Sequence, residues 1–190
     1  MILPAFRRSV HDNKIHALYG MIVAQSRLGV FYTAYGVPDT VQGRFELLVL
    51  HVVLVLRRLG REPQSAGAPW GRRVSPGQLL FDAFCRDLDA NLREMGVGDM
   101  GVPRRMRGFG EAFYGRQAAY QAALDGNDPS ALENALARNI FELESMEPRV
   151  SRLADYARAA SAQLQEAKGS TLVSGEAVFP DPAKFATTEN

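Results

Sequence analysis

Residues 40–59, TVQGRFELLVLHVVLVLRRL, are apolar on nearly every side and carry no strong turn signal. Strands average about 5–6 residues, so this run is too long for one, and its length outweighs the β-branched Val49, Val52, Val53 and Val55. The segment is expected to be a helix. A helix that is apolar all round sits at the centre of a bundle, with other helices laid against every face. Its uninterrupted part, residues 47–56, contains His51 and is bounded by Glu46 and by Arg57-Arg58. That is about half the roughly 20 apolar residues a membrane span requires, so the chain is expected not to cross a membrane by itself.

The rest of the chain supplies the surrounding helices. Residues 13–29 place Ile15, Leu18, Tyr19, Ile22 and Val23 at three- and four-residue spacing, with Gly29 as a cap. Residues 30–36 read as a turn or an extended piece. Pro38 precedes a helix start at Asp39 or Thr40, and the Gly- and Pro-rich residues 60–73 read as a surface loop. Ser75, Pro76 and Gln78 have capping-box spacing and open a helix running through Leu80, Phe84, Leu88 and Leu92 to Gly96. The next begins near Val102-Pro103 and ends near Gly126. Asp128-Pro129 caps another, through Leu132, Leu136, Ile140 and Leu143, and Pro148 opens a last one, through Val150, Leu153, Tyr156 and Leu164 to Gly169. The tail beyond is polar with two prolines. The expected architecture is all-α: one bundle-like domain of about six helices over residues 1–169, with a mobile polar tail over 170–190.

Composition narrows the function classes. The net charge of +1 gives no field to draw the whole molecule to DNA or anionic lipid. Charge is nonetheless polarised: residues 1–116 carry 16 basic and 10 acidic side chains, residues 117–190 carry 6 and 11. That suits either a basic contact surface in the first part or charge pairing between the two parts. A single cysteine, Cys85, excludes an intramolecular disulfide and multi-cysteine metal sites. His11, His16 and His51 show no i, i+4 pair, so no metal site is expected. No nucleophile–base pattern assembles around Cys85 or Ser174, and no apolar run of signal-peptide length follows Arg7-Arg8. An enzyme is not expected, nor a bound cofactor.

The informative segment is residues 92–116, LREMGVGDMGVPRRMRGFGEAFYGR. Its Gly96-Val97-Gly98-Asp99-Met100-Gly101 matches the dinucleotide fingerprint literally, but that fingerprint works only between a strand and a helix. Here a helix precedes it, so the reading is a helix stop, a tight turn and a new start. Arg104, Arg105 and Arg107 then lie in the first turns of a helix, where cations are slightly unfavourable. They serve an acidic partner or RNA phosphates, or else form a solvated face paired with Asp87, Asp89 or Glu94. Gly108, Gly110 and Gly115 follow, each costing roughly 1 kcal/mol in a helix relative to alanine. Such a helix is either packed closely against a neighbour or adaptable. Phe109, Phe113, Tyr114 and Tyr120 interleave with the glycines; an exposed pair among them would make a partner anchor.

These residues also resemble a family. Asp87-Leu88-Asp89, REMGVGD, Val102-Pro103 and Ala112-Phe113-Tyr114-Gly115-Arg116 at this spacing resemble the ubiquinol–cytochrome c chaperones, assembly factors for the ubiquinol–cytochrome c reductase complex. Weaker similarity reaches upstream through Tyr19 and Phe45-Glu46, so the likeness spans about residues 10–145. The resemblance implies a helical protein that binds newly made cytochrome b and, in mitochondria, works with a small partner protein near the ribosomal exit tunnel. It puts the partner surface on Asp99, Arg104, Arg105, Arg107, Phe113, Tyr114 and Arg116. With no targeting presequence visible, a bacterial homologue is expected, cytoplasmic or at the cytoplasmic face of the inner membrane; a eukaryotic one would face the matrix. Peripheral membrane association and self-association are compatible with this reading. Two alternatives stand beside it: a haem- or quinone-binding delivery protein resting on His16 and His51, and a ribosome-associated adaptor resting on the arginines.

Overall fold

The computed structural model describes residues 4–60, 75–143, 146–168, 171–172 and 179–186, with side chains from Asn13 onward. No strand occurs among them. The helices are α1 (Pro4–Ser26), α2 (Val30–Thr33), α3 (Val41–Leu59), α4 (Pro76–Glu94), α5 (Gly101–Asp125), α6 (Pro129–Leu136), α7 (Pro148–Glu166) and α8 (Ala183–Ala186), with a π turn at Ala137–Phe141. The all-apolar segment is the hub: Leu47, Val49, Leu50, Val52, Val53 and Val55 of α3 are fully buried, and α1, α4, α5 and α7 pack around it.

Local chemistry sets the ends. The Thr40 hydroxyl accepts the Gly43 amide at 3.0 Å and caps α3. Gly43 is required there, because a methyl at that position would overlap the Pro38 carbonyl. Ser75 accepts the Gln78 amide at 3.1 Å, while the Gln78 side chain donates onward to Asp82 at 2.7 Å; only half of the expected capping box forms. At the far end of α4, Gly96 turns into the left-handed region at φ +80°. The Gly96 amide donates to Arg93 at 2.9 Å and the Val97 amide to Leu92 at 3.0 Å, the paired closure of a Schellman motif.

Several expectations are corrected. The first helix starts at Pro4 rather than near Asn13, and residues 30–36 form one helical turn followed by Gly36 at positive φ. The helix expected to continue through Leu143 widens at Ala137 and stops at Glu142. The added backbone residue per turn lets Ala137, Ile140 and Phe141 all face the core. Beyond Gly60 the expected loop lies outside the described residues.

Within the segment expected as a mobile tail, several of the described residues pack against the core. Leu172 is fully buried, and Phe179 packs edge-on against the His51 ring, 5.2 Å between centroids. The Tyr35 hydroxyl donates to the Pro182 carbonyl at 2.6 Å. Beneath this cover runs a buried polar chain. His51 Nδ1 lies 2.7 Å from the Leu47 carbonyl, which only accepts, so Nδ1 carries the proton. Nε2 then accepts from the Tyr156 hydroxyl at 2.8 Å, and that hydroxyl accepts from Gln25 at 3.1 Å.

Burial pushes the His51 pKa down to about 4, so the folded state refuses a proton that the unfolded chain takes up near 6.5. Its stabilising effect is complete above pH 6.5 and is lost as pH falls toward 4. Between pH 6.5 and 5 the loss is expected to be roughly 2 kcal/mol, at about 1.36 kcal/mol per pH unit. Urea unfolding of wild type and His51→Gln across that range isolates this slope. Glu46, whose pKa burial raises, contributes with the opposite sign to both proteins and cancels in the difference.

Candidate functional site

Residues 92–116 form the turn between α4 and α5 and the first half of α5. The structure divides the predicted site residues into two groups. Asp99 is exposed and bound by Arg93 at 2.5 Å, and the same arginine holds Asp89 at 2.7 Å. Asp87 accepts from the Tyr19 hydroxyl at 2.8 Å. Arg104, Arg105 and Arg107 are exposed, and none forms an ion pair with a described residue. The pairing with Asp87 or Asp89 that would have made them an ordinary solvated face does not occur. Tyr114 is exposed on the same helix.

Phe113 and Arg116 face the other way. Phe113 is buried against Phe81 and Phe84, at 5.0 and 5.5 Å between centroids, so it is not a surface anchor. Arg116 grips Glu46 of α3 with two nitrogens, Nε to Oε2 and Nη2 to Oε1, and its Nη1 donates to the Ala112 carbonyl. Burial raises the Glu46 pKa and Arg116 opposes that rise. Arg116 is thus a clamp between α5 and the central helix.

The glycines of α5 are not packed closely. A methyl added at Gly108, Gly110 or Gly115 would meet nothing within 4 Å. Alanine at each is therefore expected to raise stability by about 0.5–1 kcal/mol, read from thermal unfolding. A loss instead would show that the helix needs their freedom.

Sequence reasoning missed a cleft of about 370 Å³ where α1, α3, α4 and α5 meet. One wall is Val41, Phe45 and Leu48 of α3; the facing wall is Leu88, Leu92 and Met95 of α4, with Phe109 of α5 beside it. Arg27 and Arg44 stand on its rim. Val41 is 78% exposed and Met95 61%. The available signal was the end position of these residues: Val41 opens α3 and Met95 closes α4, where an apolar side chain need not be core.

Both nitrogens of His51 are used and its ring is fully buried, so it has none to offer a haem iron; His16 is exposed. Among the described residues no group of three His, Cys, Asp or Glu converges on a metal position. Cys85 is half-buried with its pKa raised by burial, which keeps it a thiol. No helix among the described residues is long and apolar enough to cross a membrane.

Residues 33–179 match the family model for the ubiquinol-cytochrome C chaperone. The chain belongs to that family. The matched span covers the α4–α5 turn, the Arg116 clamp and the cleft walls of α3 and α4, and it ends on Phe179, the ring that covers His51. The chaperone likeness therefore extends past residue 145 into the tail. Among similar proteins is the ubiquinol-cytochrome-c reductase complex assembly factor 1 of Xenopus laevis, 26% identical over 170 residues, covering 87% of this chain and 81% of that protein. The crystal structure of the Cbp3 homolog from Brucella abortus superposes with a TM-score of 0.80 at 39% identity, covering 97% of this chain and 99% of that one. The all-helical fold is thus shared with that solved structure.

Proposed function

We propose that the chain is a non-catalytic assembly chaperone that holds newly made cytochrome b during biogenesis of the ubiquinol–cytochrome c reductase complex. The observation that carries this reading is the family match over residues 33–179, which contains the whole of the exposed arginine turn. The chemistry of that turn supports binding rather than catalysis. Three cations with no partner among the described residues, beside an exposed Tyr114, form a surface whose charge suits an external acid. The proposed contact set is Asp99, Arg104, Arg105, Arg107 and Tyr114. Work on a membrane-complex subunit places the chaperone at the cytoplasmic face of the inner membrane in a bacterium, or on the matrix side in a mitochondrion.

In a deletion strain the reductase complex is expected to fall, and tagged chain is expected to co-purify unassembled cytochrome b. Replacing Arg104, Arg105 and Arg107 together with glutamate leaves the core untouched and is expected to cut that co-purification about tenfold. Normal complex levels in the deletion strain would sink the reading. The unpaired arginines also suit RNA phosphates, as a ribosome-associated adaptor requires. In that case the triple variant loses salt-sensitive ribosome binding and retains cytochrome b.

A further inference from the structure

We infer that the cleft between α3 and α4 is the seat for one helix of a partner polypeptide, apolar on one face and carrying carboxylates along its edge. The geometry of the walls selects a helix. On α3 the lining positions are 41, 42, 44, 45 and 48; on α4 and its C-cap they are 87, 88, 91, 92 and 95. Both rows repeat at three and four residues over two turns, roughly 10–12 Å at about 1.5 Å per residue. Two such rows leave a groove that receives side chains at i, i+3 or i+4, and i+7 of an incoming helix. Its volume of about 370 Å³ is at the low end for small-molecule pockets, which run roughly 300–1,000 Å³.

Charge selects the edge of that helix. Arg27 on the rim forms no ion pair with a described residue, and Arg44 pairs with the exposed Asp39 at 2.6 Å while lying over the Tyr32 ring, 6.0 Å from its centroid. The carboxylate in the lining, Asp87, accepts from the Tyr19 hydroxyl at 2.8 Å and keeps its charge, so the two arginines outnumber it in the lining. Apolar walls between two cations favour an acidic amphipathic helix and repel a basic one. The walls also bear large side chains exposed to a degree that solvent alone does not reward, Val41 and Met95 above all. This inference depends on the chaperone reading only in calling for a polypeptide ligand, not in the identity of the client.

The test uses the full-length, isotopically labelled chain and two capped peptides of about 16 residues, long enough to hold a helix. Both carry leucine at i, i+3, i+4 and i+7 on an alanine background, one with flanking glutamates and the other with flanking lysines. The glutamate peptide is expected to bind about tenfold tighter and to shift amide resonances of residues 41–48 and 88–95. Val41→Glu with Met95→Glu, both on exposed side chains, is expected to abolish those shifts. Arg27→Glu with Arg44→Glu is expected to reverse the preference between peptides. Equal binding of both peptides, binding of neither, shifts mapping elsewhere, or occupation of the groove by a second copy of the chain overturns the inference. Deletion-strain complementation tests the chaperone reading by a separate readout, so the two fail independently.

Discussion

Arg116→Ala is expected to destabilise the chain by about 3 kcal/mol at pH 7 and by far less near pH 5. The variant leaves Glu46, which is 1% exposed, beside Gln42 with no counter-charge. A buried carboxylate in that position escapes by taking a proton. From an unfolded pKa of 4.5, protonation at pH 7 costs about 2.5 pH units at about 1.36 kcal/mol each, which caps the electrostatic penalty near 3 kcal/mol. As pH falls toward 4.5 the proton costs less and the penalty shrinks. Wild-type Arg116 is itself 19% exposed, so the attraction it loses is screened and the cap is an upper value. Urea denaturation at the two pH values reads the effect directly; a penalty equal at both would show that packing, not charge, is what Arg116 supplies. Glu46→Leu with Arg116→Met is expected to recover most of the stability, because a buried pair replaced whole by apolar residues is near neutral.

This result bears on how motifs are read. The AFYGR stretch resembles its family through residues that do different work: Phe113 and Arg116 build the bundle, while Tyr114 between them faces solvent. Spacing alone separates these roles only once the core-facing side of α5 is known, and that side is set by α3 and α4. By contrast, Arg104→Ala is expected to change stability by less than about 0.5 kcal/mol. A loss of cytochrome b assembly in that variant would therefore report on contact, whereas a loss in Arg116→Ala would report on folding.

Elements governed by local chemistry were legible in the chain. The Thr40, Ser75 and Asp128 caps, the Gly96 turn and the all-apolar α3 each follow from one or two residues and their neighbours. What the chain concealed depends on distant partners. Arg116 looked like a surface cation because Glu46 is 70 positions away. The cleft was hidden because Val41 and Phe45 continue the apolar pattern of a core helix, and nothing in their spacing says that no described helix covers that end. The π turn arises where three apolar residues compete for the same core, a demand that a regular 3.6-residue period does not meet.

Composition reads residues 170–190 as a polar tail, yet ending the chain at Lys168 is expected to cost on the order of 5 kcal/mol. Polarity averaged over residues 170–190 hid four positions that enter the core or close over it: Leu172, Phe179, Pro182 and Phe185. Truncating a buried Leu or Phe side chain costs about 2–5 kcal/mol each, so Phe179→Ala alone is expected to cost about 3. Domain stabilities are about 5–15 kcal/mol, so losing the whole segment approaches the total. The truncated chain is then expected to show a thermal midpoint lower by ten degrees or so, or no cooperative transition. A second readout separates loss of cover from general weakening. With Phe179 gone, water reaches the His51 ring, and its pKa is expected to climb from about 4 toward 6.5 in an NMR titration of Phe179→Ala. An unchanged midpoint on truncation, or a His51 pKa that stays near 4 in Phe179→Ala, would return the tail to the role its composition suggested. If both shift, the folding unit runs to the end of the span that the chaperone family shares, because the residues that close the core over His51 lie in its last stretch.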